Sequence, residues 1–291
     1  MNRLKRIGAV LLAWFAAGAV FAQPLKVMTY NVWLGFNKKQ HLEAGAEWIA
    51  SQNVDVLALQ ELKGFNQERL EEAAKKWGHH HAVIFERKGG FPQGLTSKTP
   101  IKKIEQIQPE NNPKLRGTLH CKTAGIHFFV VHFDPRNYLN RQKEVAAVAE
   151  RVKPLVDAGE KVVVLGDFNA HSPADKAVMD TKLQLLEKWR AKEKEGARYR
   201  SFAENGELDY SVVRSLLNAG LVDPAKEPKG TFPTRLLAPE DSAEEHAAKL
   251  HRIDFILMDK SFAKGSVLSF PRAEVLNEIS DHYPVIMELP S

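Results

Sequence analysis

Two rhythms of apolar and polar positions take turns along the chain. Leu25–Tyr30 and Asp55–Gln60 are short β-prone runs. Between them, His41–Ser51 has helical spacing, with Leu42, Ala46 and Ile49 on one face. Phe65–Trp77 reads as a charged helix that turns Leu70, Ala73, Ala74 and Trp77 inward. His81–Glu86, Gly94–Ser97, Ile101–Ile107 and Gly117–Lys122 read as strands, and Ile126–Phe133 as a strongly apolar one. A helix over Leu139–Ala158 is expected next, bent near Pro154 because proline removes a backbone donor. Lys161–Leu165 is apolar after its first residue, the pattern of a strand covered on both faces. Ala174–Met179, Leu183–Lys194 and Ser211–Ala219 are predicted helical, with polar loops at Glu193–Glu207 and Leu237–His246. Arg252–Met258, Ser266–Leu268 and Pro284–Leu289 close the chain as strands. Strands alternating with helices, with no long linker and no short internal repeat, predict a single α/β domain.

The first 22 residues stand apart from this pattern. Met1–Ala22 opens with Arg3, Lys5 and Arg6, continues as an apolar run over Ile7–Val20, and ends in small residues at Ala19–Ala22. This is the layout of a secretory signal, cut after Ala22, and it predicts a periplasmic or secreted protein. The apolar run falls short of the roughly 20 residues that span a bilayer, so no integral membrane segment is expected after cleavage. Removal changes the charge. The chain has 41 Lys+Arg and 36 Asp+Glu; without the three leader cations 38 stand against 36, a net of +2 instead of +5. A high-affinity polyanion binder carries a larger excess. The lone Cys121 excludes an intrachain disulfide and any cysteine-based zinc or iron–sulfur centre.

Chemistry gathers where apolar strands end. Asn31 follows Lys26–Tyr30, Gln60-Glu61 ends Val56–Leu59, and His132 sits in Val130-Val131-His132-Phe133. Gly166-Asp167-Phe168-Asn169 ends Val162–Leu165, Asp254 lies inside an apolar strand, and Ser280-Asp281-His282 directly precedes another. Buried Asp254 demands a partner, because an unpaired carboxylate in an apolar strand is costly. Asp167 and Asn169, two apart, point the same way on an extended segment. Together Glu61, Asp167, Asp254 and Asp281, with Asn31, Asn169, His132 and His282, make an oxygen-rich set with two imidazoles. Such donors suit Mg²⁺, Mn²⁺ or Ca²⁺ over zinc, and a phosphate ester is the substrate they fit best. Asp134, Arg136, Asn137 and Arg141 follow closely enough to line the rim beside His132, but the favoured reading is a capped helix start with a solvated face. His79-His80-His81 is read as a solvated turn, and Trp33, Trp48, Trp77 and Trp189 as core or seam residues.

The ordered strings Tyr30-Asn31-Val32-Trp33, Leu59-Gln60-Glu61, Val131-His132-Phe133, Gly166-Asp167-Phe168-Asn169, Arg252-Ile253-Asp254-Phe255 and Ser280-Asp281-His282-Tyr283-Pro284-Val285 resemble the endonuclease/exonuclease/phosphatase superfamily. Its members include DNase I-like nucleases, abasic-site endonucleases, neutral sphingomyelinases and inositol-polyphosphate 5-phosphatases. The resemblance covers Leu25–Leu289 and implies a four-layer α/β/β/α sandwich in which residues 23–291 form the catalytic domain. It implies Glu61 as the main Mg²⁺ ligand, helped by Asn31 and Asp281. It implies His282 at the scissile phosphate with Asp254 holding its ring, and His132 as a second phosphate contact. Asp167 would orient or deprotonate the attacking water and Asn169 would position it; whether His282 or Asp167 is the base stays open. Many members carry Asn-Thr-His where this chain has Val130-Val131-His132, so the contact made by that Asn has no counterpart here. The expected function is an exported, metal-dependent phosphodiesterase or nuclease acting as a monomer. A sphingomyelinase-like phospholipid phosphodiesterase and a sugar or inositol phosphatase are the alternatives, and a non-catalytic binding module a further one. Nucleic acid and phospholipid are thus both open as partners.

Overall fold

The computed structural model describes residues 24–87, 90–196, 198–261 and 263–290; the predicted leader Met1–Ala22 lies outside them. Among the described residues, twelve strands form two six-stranded sheets. The first sheet contains β1 (Leu25–Asn31), β2 (Val56–Gln60), β3 (His81–Phe85), β4 (Gln93–Ser97), β11 (Val267–Ser269) and β12 (Val285–Leu289), in the order β11-β12-β1-β2-β4-β3. The second contains β5 (Lys102–Ile107), β6 (Thr118–Thr123), β7 (Ile126–His132), β8 (Val162–Asp167), β9 (Leu221–Val222) and β10 (Asp254–Asp259), in the order β5-β6-β7-β8-β10-β9. Each sheet has one parallel pair at its centre, β1 with β2 and β7 with β8, and every other pairing is antiparallel. Each parallel pair is joined through a helix: Leu42–Gln52 in the first sheet and Tyr138–Asp157 in the second.

The period-2 alternation divides the side chains between layers. Val27, Val56, Ala58 and Leu95 from one sheet meet Leu119, Phe128, Val130, Val163 and Leu165 from the other in a shared core. The intervening positions face outward onto helices. Met28, Tyr30, Leu57 and Leu59 pack on Trp48, Ile49 and Leu70. Phe129, Val131, Val162 and Val164 pack on Val145, Val148 and Val152 of the long helix and on Val212 and Leu216 of Ser211–Asn218. Helix, sheet, sheet and helix are therefore stacked as the four expected layers. Strands Val56–Gln60 and Val162–Asp167 are wholly buried because both of their faces are covered.

Several local expectations are corrected. Leu237–His246 is not all loop: Ala243–Lys249 is a helix, opened by a capping box in which Ser242 and Glu245 bond each other's backbone N–H. Only His80 of the His79–His81 turn is exposed as expected. His79 is fully buried between Thr96 Oγ1 at 2.7 Å and the Val54 carbonyl at 2.9 Å, and His81 begins β3. Asn137 does cap the long helix, accepting from Leu139 N–H, but Arg141 on its first turns is buried and not part of a solvated face.

Candidate active site

The parallel strands end side by side, and their ends carry the polar residues. Asn31 ends β1 in register with Gln60, and Glu61 is the next residue. Glu61 takes a left-handed backbone (φ 59°), unusual for a residue with a long side chain, and its Oε2 accepts from Leu34 N–H at 3.2 Å. Residues 33–39 supply that donor by running through left-handed conformations. In the second sheet, His132 ends β7 directly opposite Asp167 at the end of β8. Gly166 makes this pairing possible: its φ is +141°, and a Cβ there would lie 2.0 Å from the Val131 carbonyl oxygen. Asp254 opens β10 opposite Asp167, and the residues before β12 deliver Asp281 and His282.

Sandwich packing brings the two sets of ends together. Asn31 Nδ2 donates to Asp167 Oδ2 at 3.0 Å and lies 3.5 Å from His282 Nε2. Asn169 Nδ2 donates to the same Asp167 oxygen at 3.1 Å and its backbone N–H to Asp167 Oδ1 at 2.8 Å. Asp254 Oδ2 sits 2.8 Å from His282 Nδ1. His132 Nε2 lies 3.7 Å from Glu61 Oε1 and 3.6 Å from Asp167 Oδ2. Asp281 Oδ1 lies 3.9 Å from His282 Nε2. All eight sequence-derived residues thus converge on one hollow.

Three residues that sequence reasoning passed over hold it in shape. Arg116 NH1 lies 3.3 Å from His132 Nδ1, and its guanidinium stacks on Phe91 at 4.6 Å. A guanidinium only donates, so His132 Nδ1 accepts and the neutral ring carries its proton on Nε2, facing the carboxylates. Thr231 Oγ1 accepts from the backbone N–H of Ile253 and Asp254, each at 3.1 Å, fixing the start of β10. Ser280 Oγ donates to the Asn31 carbonyl at 2.6 Å and accepts from His282 N–H at 3.1 Å. The polar triplet at residues 280–282 was a signal for Ser280; nothing local marks Arg116 or Thr231.

Electrostatics separates the groups. Burial alone would lower His282, but the Asp254 and Asp167 carboxylates outweigh it and hold the ring well above an ordinary histidine. Burial drives Asp167 up to about 7, helped by Asp254 and opposed by His282 and the amide donors. Burial raises Asp281 to about 6. His132 is pushed well below its usual value by burial and then by the Arg116 charge. The hollow therefore holds an imidazolium, a neutral imidazole and carboxylates that resist sharing one space. Donor atoms of Asp167, Asp254 and His282 lie within 4.8 Å of one another. Among the described residues, the buried oxygens Asp254 Oδ1 and Asp281 Oδ1 have no hydrogen-bond partner, as expected of oxygens that a hard cation would take.

A family model for the endonuclease/exonuclease/phosphatase family matches residues 28–282. The chain belongs to this family. The solved structures most like this member of it include an AP endonuclease from Archaeoglobus fulgidus, with a TM-score of 0.67 and 18% identity, covering 92% of this chain and 100% of that one. They also include the 3′ phosphatase NExo from Neisseria bound to a product DNA hairpin, with a TM-score of 0.66 and 21% identity, covering 91% and 99%. NExo from Neisseria meningitidis, a 3′–5′ exonuclease, has a TM-score of 0.64 at 21% identity, covering 92% and 100%. No curated protein sequence matches significantly. Membership makes this chain a phosphoric ester hydrolase of a divalent-metal-dependent family, and among the described residues no helix is long and apolar enough to cross a membrane.

Proposed function

We propose that this family member is an exported, monomeric, Mg²⁺-dependent phosphodiesterase that cleaves nucleic acid. The observation that carries the reading is the pairing of two opposed imidazoles, His282 and His132, each with its Nε2 directed into one hollow beside Asp167. The neighbours' DNA chemistry supports nucleic acid as substrate. The rim supports it as well. Phe91 lies under Arg116 at 4.6 Å and Lys63 at 5.7 Å, and Trp33 under Lys38 at 5.0 Å, giving ring faces for bases beside cations for phosphates. The leader-like Met1–Ala22 supports export.

Glu61 would hold the Mg²⁺ with Asn31 and Asp281. When bound, the ion supplies positive charge that offsets charge developing on the phosphate oxygens. His282 gives its Nδ1 proton to the hydrogen bond with Asp254, which leaves Nε2–H to donate to a non-bridging oxygen. His132 Nε2–H, fixed by Arg116, donates from the opposite side. Asp167 receives the proton of the attacking water as the water oxygen bonds to phosphorus, the opposite P–O bond breaks, and the leaving oxygen departs and takes a proton from solvent. It is the better base because His282 already holds its proton firmly, while a carboxyl near 7 exchanges one at neutral pH. The two amides on Asp167 Oδ2 aim the carboxylate, and Asn169 also places the water.

Purified mature protein with Mg²⁺ or Mn²⁺ should hydrolyse bis-p-nitrophenyl phosphate and lose that activity in EDTA. A panel of plasmid, single-stranded DNA, RNA, sphingomyelin and inositol phosphates then tests the substrate class. Cleavage of DNA or RNA is expected; turnover of sphingomyelin alone would overturn the nucleic-acid reading. N-terminal sequencing of exported protein should begin at Gln23.

A further inference from the structure

A second hollow opens off the first. A cleft of about 620 Å³ has His282 and Asn169 at its inner end. One wall is a chain of rings in contact, with centroid separations of 4.9 Å for Phe232–His282, 5.6 Å for Phe232–His251, 5.4 Å for His251–His171 and 5.5 Å for His171–Trp189. Lys188 and Lys192, one helical turn apart on Leu183–Lys194, stand exposed at its mouth. Lys249 is also there, but ion-paired to Asp241 at 2.7 Å. Among the described residues no carboxylate lines the cleft, in contrast to the acid-rich hollow it joins.

Two lining side chains carry an unexplained nitrogen. Arg141 is 5% exposed and His171 is 6% exposed, and among the described residues neither Arg141 Nε nor His171 Nε2 has a hydrogen-bond partner. Arg141 is held from behind, its NH1 donating to the Asp134 carbonyl at 3.0 Å. A buried guanidinium N–H without an acceptor is costly, and a ligand oxygen seated in the cleft would complete it. Burial, and then the neighbouring His251 and Arg141, keep His171 well below its ordinary value, so it is a neutral ring able to offer Nε2–H.

We propose that this cleft binds a second phosphoryl group of the substrate, seated on Arg141 and His171 beneath Lys188 and Lys192, while the ring or sugar that bears it lies along Phe232 and Trp189. The inference rests on the phosphodiesterase reading and narrows it. The preferred substrate is a phosphate ester with a second phosphate within one compact unit, since a cleft of this volume suits a nucleotide-sized group.

Two p-nitrophenyl esters separate the ideas: thymidine 5′-(p-nitrophenyl phosphate) and the same compound carrying a 3′-phosphate. The second should be hydrolysed with kcat/KM on the order of tenfold higher, the scale of one charge-assisted contact. A third ester, with the 3′-phosphate extended to a second thymidine, identifies the source. An equal gain assigns the anion to a nucleic-acid strand, and a gain with the terminal phosphate alone assigns it to a small bisphosphate; both support the cleft. The preference ratio should approach one in Arg141→Gln and in His171→Ala, and fall severalfold in Lys188→Gln/Lys192→Gln. That double substitution lies on an exposed helical face and leaves the fold intact. Calorimetry reads the same question without turnover, with thymidine 3′,5′-bisphosphate expected to bind about tenfold more tightly than thymidine 5′-phosphate. Loss of all hydrolysis with tight bisphosphate binding would strike the catalytic reading and spare the cleft. Equal rates and equal affinities for the paired compounds would overturn the cleft alone.

Discussion

The strand pairs β1–β2 and β7–β8 are the same device used twice: two parallel strands, a helical crossover and a polar residue at each strand end. They differ in exposure. The Glu61 side chain at the end of the first pair keeps 15% of its surface, while Asp167 at the end of the second keeps 2%. Glu61 leaves its strand through a left-handed turn toward open space; Asp167 is pressed under Val131 by Gly166 and roofed by two amides. An open carboxylate is suited to a hydrated cation, which must enter and partly shed water. An enclosed one is suited to holding and passing a proton, because burial moves it toward neutral pH. On the proposed roles, one construction yields two chemistries, separated by how deep each strand end lies.

Substitutions can break this contrast. The largest effect is expected at the buried end. Asp167→Asn should lower kcat by about 10³-fold or more, with no rescue by added Mg²⁺, since the amide keeps the shape but takes no proton. His282→Ala should cost a similar factor in bis-p-nitrophenyl phosphate hydrolysis. If activity survives Asp167→Asn but not His282→Ala, the base assignment made here reverses. Next is Gly166→Ala. Its Cβ cannot share space with the Val131 carbonyl, so the β7–β8 register must give way, and thermal melting should report a loss on the order of 3 kcal/mol. At the open end, Glu61→Gln should shift the Mg²⁺ requirement upward by about 10- to 100-fold, with kcat largely recovered at high metal. A kcat deficit unmoved by metal would place Glu61 with the proton-handling groups instead.

The smallest expected effect is on how much bound metal stabilises the fold. Asp281 (about 6) and Asp167 (about 7) must give up protons before the hollow can carry the charge that a divalent ion neutralises. Protons and metal therefore compete, and the Tm gain produced by saturating Mg²⁺ should grow by a few degrees from pH 5 to pH 8. The sign is consistent: each raised carboxyl favours the metal-free fold below its unfolded pKa, and that advantage disappears as pH rises through the folded value. Bound metal offsets this loss. A Mg²⁺-induced shift that shrinks as pH rises would contradict the site.

Arg252 shows how a polar residue beside the site can serve packing alone. It bonds Asp175 at 2.9 Å and Asp223 at 2.6 Å, all three largely buried, and its guanidinium stacks on Phe255 at 4.4 Å. Its position next to Asp254 made it look like part of a motif, yet its charge is spent within the protein. Arg116 is the opposite case, unremarkable in sequence and placed against His132.

The local pattern was enough to determine the α/β class, the strands buried on both faces and the eight polar residues at strand ends, because period and burial are set by near neighbours and by side-chain chemistry. The Ser242–Glu245 capping box was equally local, and the helix it starts was missed because acids and alanines masked it. Packing at a distance decided the rest. Asn31 meets His282 across 251 positions, Arg116 turns inward onto His132, and Arg141 and His171 lose solvent without gaining every partner. Those outcomes depend on how two sheets settle against each other, which balances the burial of whole layers and leaves no trace in the spacing of any one segment.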